Sequence, residues 1–315
     1  MPTRRGSIHL FKFKGIDVFL HWSWFVVALI EIQWRVQARV YSSPIWNVLE
    51  YLALFLIVMT HEFGHSLACK QVGGRSDQIV LWPLGGVAYV DPPQRPGAQL
   101  WSLAAGPLVN VALLPVCLAF YEFAKSAGWE QVAPNEFLFA RALLAIDAIL
   151  LGFNMLPIYP LDGGQILRSL LWFVIGRARS LLVATVLGFV GVIIVLGSTL
   201  LEGFSRGFSG NSVWWGAIAV FMLLNCWSGL QHARVLLKLS KIPRREGFAC
   251  PSCHSEPPLG EFWKCRQCGH AFDTFVTGAS CPACGARFGV TTCLDCRRSF
   301  PITEWTAASV ASAKL

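Results

Sequence analysis

Charge is scarce in this chain. Asp, Glu, Lys and Arg make up 14% of its 315 residues, against about 25% in a typical soluble domain. Hydrophobic residues make up 54%. That balance excludes an ordinary soluble globule and fits a chain that spends much of its length in lipid. Up to about residue 240 the sequence is apolar, with Trp and Phe throughout; the remainder is shorter, polar and rich in Cys. Cysteine is sparse in the long apolar part, where Cys69, Cys117 and Cys226 stand singly and read as inert core residues. No internal repeat is visible. A cleavable leader is also missing: the basic start (Arg4, Arg5, Lys12, Lys14) precedes an apolar run without a small-residue cleavage site, so that run reads as a retained anchor.

What is present is a series of long apolar runs, at 16–34, 45–69, 98–122, 137–158, 181–200 and 213–235. Each approaches the ~20 residues needed to cross a hydrocarbon core. With the N-terminus inside, fifteen Lys and Arg fall on inner segments and five on outer ones, the bias expected of cytosolic loops. The expected fold is therefore an α-helical polytopic membrane protein of about six transmembrane helices. Its expected location is a bacterial cytoplasmic (inner) membrane, with both termini cytosolic. The domains read as 1–240 in the membrane, 241–300 as a cytosolic metal-binding module and 301–315 as a flexible tail. Residues 78–91 are apolar but too short to cross, and Gly85-Gly86 between β-prone flanks predicts a short membrane-associated β-hairpin. An exposed edge of such a hairpin could receive an extended substrate, and a plain structural hairpin is the equal alternative.

Inside the second apolar run lies His61-Glu62-Phe63-Gly64-His65. His-Glu-x-x-His on a helix stacks two imidazoles on one face, the spacing of adjacent zinc ligands, with a Glu able to reach an activated water. Ionisable groups at membrane depth are costly and call for a functional or pairing reason. Two His leave a catalytic zinc one protein ligand short. The segment from Asn154 to Gly164 offers Asp162 as the candidate, at an interruption made by Pro157 and Pro160, where glycines let another backbone approach. The alternative for Asp162 is a helix N-cap in a cytosolic loop. Asp147 could tune the site or bridge helices, and His21, between Leu20 and Trp22, could serve it or act as an interfacial anchor. Asn225 reads as helix-packing glue.

Taken with Leu84-Gly85-Gly86-Val87-Ala88, Gly106-Pro107-Leu108-Val109-Asn110 and Asn154 to Gly164 in that order, this motif resembles the site-2 protease family of intramembrane zinc metalloproteases, over about residues 8–235. The resemblance implies a zinc metalloendopeptidase acting on membrane-protein substrates in regulated intramembrane proteolysis. His61, His65 and Asp162 would ligate the zinc and Glu62 would be the base. Asn154 would hold substrate backbone or the oxyanion, and Asn110 would do similar work or only bridge helices. Gly85 and Gly86 would lie where substrate binds. Tyr159 departs from the Pro that relatives often carry, and neither a PDZ domain nor paired CBS domains are present. The rival class is a catalytically silent receptor or scaffold acting through its cytosolic module.

That module carries four Cys-x-x-Cys pairs: Cys250/Cys253, Cys265/Cys268, Cys281/Cys284 and Cys293/Cys296. Such pairs read as zinc thiolates in a reducing compartment. Neighbouring pairs predict two consecutive zinc ribbons; the alternative is a cross-brace of first with third pair and second with fourth. The whole chain would then hold one catalytic and two structural Zn2+. Residues 241–300 have a formal charge of +3, which two zinc–tetrathiolate centres bring to about −1. Nucleic acid is thus disfavoured, and a cytosolic protein partner is expected. The basic cluster Lys241, Arg244 and Arg245 sits where anionic head groups of the lipid bilayer would lie.

Overall fold

The computed structural model describes residues 6–82, 85–207 and 210–305. The first predicted span is not one helix. Ser7–Phe13 (β1) and Ile16–His21 (β2) are strands, followed by the 15-residue helix Ser23–Gln37 (α1). The cause is legible in the residues: Ile16, Val18 and Leu20 are buried while Asp17, Phe19 and His21 are less so, a period of two. Helix α2 (Pro44–Gln71) carries the His-Glu-x-x-His motif. Strands Arg75–Trp82 (β3) and Gly85–Asp91 (β4) follow it.

The expected hairpin exists as the antiparallel pair β3–β4, but it is half of a larger object. The four strands form one mixed sheet, β1-β2-β3-β4, in which β2 and β3 run parallel and β4 is an edge. Ile16, Val18, Ile79 and Leu81 pack with Trp24 and Val58 into one core cluster. The sheet is thereby laid on α2, one turn from the metal-type motif. At the opposite end of α2 the buried Glu50 is satisfied by Arg35 and by the Tyr41 hydroxyl, which donates at 2.7 Å.

Helix Pro96–Ser126 (α3) crosses α2 closely enough that a Cβ on Gly64 would stand 2.6 Å from the Ala105 carbonyl oxygen. A single turn, Trp129–Val132 (α4), leads to Pro134–Asn154 (α5). The chain then breaks as the prolines predict and restarts as Asp162–Ile175 (α6), whose Gly163 and Gly164 lie against the backbone of Met155 to Tyr159. Arg177–Arg206 (α7) and Gly210–Ser240 (α8) pack on one another through Val192, Ala219 and Cys226. Among the described residues three helices, Pro44–Gln71, Pro96–Ser126 and Arg177–Ser205, are long and apolar enough to cross a membrane.

The tail is built from two small hairpins, Trp263–Lys264 (β5) with Ala271–Phe272 (β6) and Thr291–Thr292 (β7) with Ser299–Phe300 (β8). Here the expected cysteine pairing is overturned. Cys250 and Cys253 meet Cys293 and Cys296, and Cys265 and Cys268 meet Cys281 and Cys284. The centres are nested, one inside the other, neither consecutive nor cross-braced. Spacing could not decide this, because what draws the first and last pairs together is a distant apolar cluster of Phe248, Phe275 and Trp305 around Cys250 and Cys293. The same cluster corrects the expected tail boundary: Ile302–Trp305 is a 3-10 turn, Trp305 is fully buried, and its carbonyl accepts the Ala249 N–H at 2.8 Å. Residues 306–315 lie outside the described residues. Nesting has a direct test in the zinc content of the double variant Cys265→Ser/Cys284→Ser. It should lose a single equivalent, whereas consecutive or cross-braced centres would both be damaged and two would be lost.

Candidate functional site

Two elements supply the central donors. One face of α2 carries His61 and His65, and the first turn of α6 carries Asp162. His61 Nε2 and His65 Nε2 stand 3.1 Å apart, and Asp162 Oδ2 lies 3.1 Å from the first and 3.3 Å from the second. Helix α3 backs both rings. His65 Nδ1 donates to the Ser102 carbonyl at 2.8 Å, and His61 Nδ1 to Asn110 Oδ1 at 2.6 Å. The orientation of the Asn110 amide follows from its other end, since Nδ2 must donate to the carboxylate oxygen Asp147 Oδ1 at 2.7 Å.

With each Nδ1 carrying the proton, each Nε2 presents a lone pair. Two lone pairs and a carboxylate oxygen then face one another in a buried space with no donor between them. Such an arrangement repels itself unless a cation sits within it. Donors bound tetrahedrally at about 2.0–2.1 Å from one ion stand about 3.3 Å apart, which is the spacing found. The donor set of two imidazoles and one carboxylate suits zinc with one position open.

Glu62 points from the same helix to the sheet. Its Oε2 accepts the Ala88 N–H at 2.9 Å, and it is 7% exposed. A Cβ on Gly86 would fall on the Glu62 side chain, so only glycine lets β4 run this close to the carboxylate. Gly106 plays the same part toward His65, whose ring occupies the space a side chain there would need.

The other sequence candidates divide. Asn110 is fully buried with each end of its amide engaged, so it bridges helices and orients His61. Asp147 is likewise fully buried and makes the interhelical bond, and through it reaches the metal site at second hand. Asn154 closes α5, half-buried, and none of the hydrogen bonds around His61, His65 and Glu62 runs to it. His21 bonds Ser23 Oγ at 2.6 Å and stacks on Trp82, outside the cluster. Asn225 donates to the Phe221 carbonyl of its own helix. Sequence reasoning missed the Ser102 carbonyl and the Ala88 amide, which are main-chain groups and leave no side-chain signature.

In the tail, Sγ atoms across each centre lie 3.6–3.7 Å apart, close to the roughly 3.8 Å edge of a tetrahedron with 2.3 Å zinc–sulfur bonds. Hydrogen bonds among the outer-centre thiols, from Cys250 first, hold Cys253 well below its ordinary range while they push Cys250 and Cys293 above theirs. The Cys265 thiol falls to about 6, chiefly through the Cys268 backbone N–H. Thiolate is the metal-binding form. His254 and His270 stand outside both donor sets.

The model of peptidase family M50 matches residues 50–131 and 123–198, which include His61, Glu62, His65 and Asp162. The membrane domain of this chain belongs to peptidase family M50. A zinc metalloprotease of Methanocaldococcus jannaschii is 34% identical over 182 residues, 58% of this chain and 50% of the relative. Stage IV sporulation protein FB of Bacillus subtilis is 32% identical over 118 residues, 37% of this chain and 38% of that protein. The solved site-2 protease from Methanocaldococcus jannaschii superposes with a TM-score of 0.50 at 27% identity, covering 71% of this chain and 95% of that one. The chain thus spans half the length, or less, of these two curated relatives. Family and apolar helices together make this a membrane protein of the M50 type, with a zinc-binding site of the metalloprotease kind.

In this M50 domain the Asn110 link is expected to carry a share of metal affinity. Removing a hydrogen-bond partner behind a ligating His typically costs 10–100-fold. Asn110→Ala should therefore weaken binding of the catalytic zinc by about that factor in chelator competition. The double variant Asn110→Asp/Asp147→Asn, which keeps an acceptor for His61 Nδ1 and restores a donor between the two residues, should retain more.

Proposed function

We propose that this protein is an intramembrane zinc metalloprotease that hydrolyses peptide bonds in or near the transmembrane segments of other membrane proteins. The observation that carries the reading is the convergence of His61, His65 and Asp162 beside Glu62, with Glu62 itself hydrogen-bonded to the edge strand β4. Zinc bound by the three donors supplies a Lewis acid and activates water for attack. Glu62 takes the proton of the attacking water and passes it to the departing amine. Its tie to the Ala88 N–H fixes where the carboxylate stands relative to β4.

A helical substrate keeps its carbonyls in its own hydrogen bonds and must unwind before attack. Strand β4 supports that step: among the described residues no strand pairs on its outer side, and an edge strand is the kind of element that can receive an extended segment. Asp162 and His65 together with Asn110-oriented His61 fix the metal; Asn154 remains a candidate for holding substrate or the oxyanion. Gly86 keeps the receiving strand against the base. The charge distribution favours both termini in the cytosol of a bacterial cell, which sets the metal-binding module on the motif-bearing side of the membrane. That module is suited to a protein partner, given its near-neutral charge once metallated.

The test is a comparison of membrane-protein fragments in cells carrying the wild type and Glu62→Gln. Fragments should vanish with the variant while its zinc content stays unchanged; fragments that persist would refute the proposal. Zinc counting separates the scaffold alternative: three equivalents per chain for a protease, two for a protein that acts only through its tail.

A further inference from the structure

Among the described residues, hydrogen bonds join the nested tail to the membrane domain at Asp295 and Arg298. Arg298 donates from Nη2 to the Asp91 carbonyl at 3.0 Å and to Asp91 Oδ2 at 3.3 Å. Arg177 donates from Nη1 to the Asp295 carbonyl at 2.8 Å. Asp295 lies between the two outer-centre ligands Cys293 and Cys296, and its carboxylate is held by Arg244 at 2.7 and 3.3 Å. Cys253, Cys293 and Cys296 also stand close enough to Arg177 to attract it electrostatically.

The two membrane-domain ends of these bonds lie on elements that lead to the candidate site. Asp91 is the last residue of β4, three residues beyond the Ala88 amide that holds Glu62. Arg177 begins α7, directly after the helix that opens with Asp162. The loop of the outer four-cysteine centre therefore joins the strand that anchors the base to the helix pair that supplies the third donor. An edge strand is the kind of element that opens locally at low cost, and Arg298 bonds the end of this one. Arg298 bonds the last residue of β4, so the contact steadies the end of the strand. A module this small depends on its metal for its fold, so the bond to β4 lasts only while the outer centre is closed.

We propose that the outer four-cysteine centre is an intramolecular clamp on the active site, with Arg298 as a positioning residue that holds β4 where Glu62 requires it and Arg177 tying the same loop to the start of α7. Its consequence for cleavage rests on the protease reading above; the clamp itself does not. Loss of the outer metal loosens β4 while the catalytic donors stay together.

The experiment uses the full chain in detergent micelles, with zinc content, amide hydrogen exchange of residues 85–91 and, in cells, the fragment comparison. Arg298→Asp and Asp91→Arg should each speed exchange in β4 by about threefold with all zinc retained, and should lower fragment yield. The double variant Arg298→Asp/Asp91→Arg should restore most of both. Cys293→Ser/Cys296→Ser should lose one zinc and loosen β4 to at least the same degree. Unchanged β4 exchange in Arg298→Asp and in the cysteine variant overturns the clamp. Loosened β4 with undiminished cleavage overturns the positioning role. If no fragments depend on Glu62, the protease reading fails by itself, and β4 exchange still decides the clamp.

Discussion

Mutual repulsion between three electron-pair donors organises this molecule. His61 Nε2, His65 Nε2 and Asp162 Oδ2 are packed within hydrogen-bond range of one another with no proton to share. Only a cation makes that arrangement favourable, and everything nearby serves to hold it. Helix α3 takes the far nitrogen of each imidazole, through Asn110 and the Ser102 carbonyl, and so fixes which nitrogen faces inward. The glycines at 64 and 106 let α2 and α3 approach closely enough for those bonds to form. The interruption after Asn154 turns the chain so that Asp162 opens a helix aimed back at α2.

The chemistry was more legible in the sequence than the architecture. His61, Glu62 and His65 announce themselves because their spacing matches one face of a helix, and Asp162 because a carboxylate beside two prolines and two glycines has few other reasons to lie between apolar runs. The first sheet strands were hidden for a physical reason. A strand buried against a helix and the beginning of a membrane span are both apolar, and six residues of alternation at 16–21 are easily absorbed into a longer hydrophobic window. Asn110 shows the reverse difficulty. Its type and place suit a substrate contact, and only the positions of Asp147 and His61 reveal that its amide joins two helices and orients a ring.

The cysteine pairs illustrate what local spacing can and cannot carry. Each Cys-x-x-Cys turn is a local matter, and four were evident. Which turn meets which goes with aromatic residues far from one another in sequence, Phe248, Phe275 and Trp305, which close into one cluster around Cys250 and Cys293. Loop closure grows costlier only slowly with length, so a modest apolar cluster is enough to choose the longer route.

Nesting also imposes a direction on how the tail is assembled. As the chain leaves the ribosome, the inner centre has all four sulfurs once Cys284 has emerged, and it can fold around Phe272 and Phe288 soon afterwards. The outer centre must wait for Cys296, and its aromatic core for Trp305. Assembly therefore runs from the inside outward, and the part that grips the membrane domain is the part completed last. A chain released before Trp305 would hold a finished inner centre and an unfinished grip.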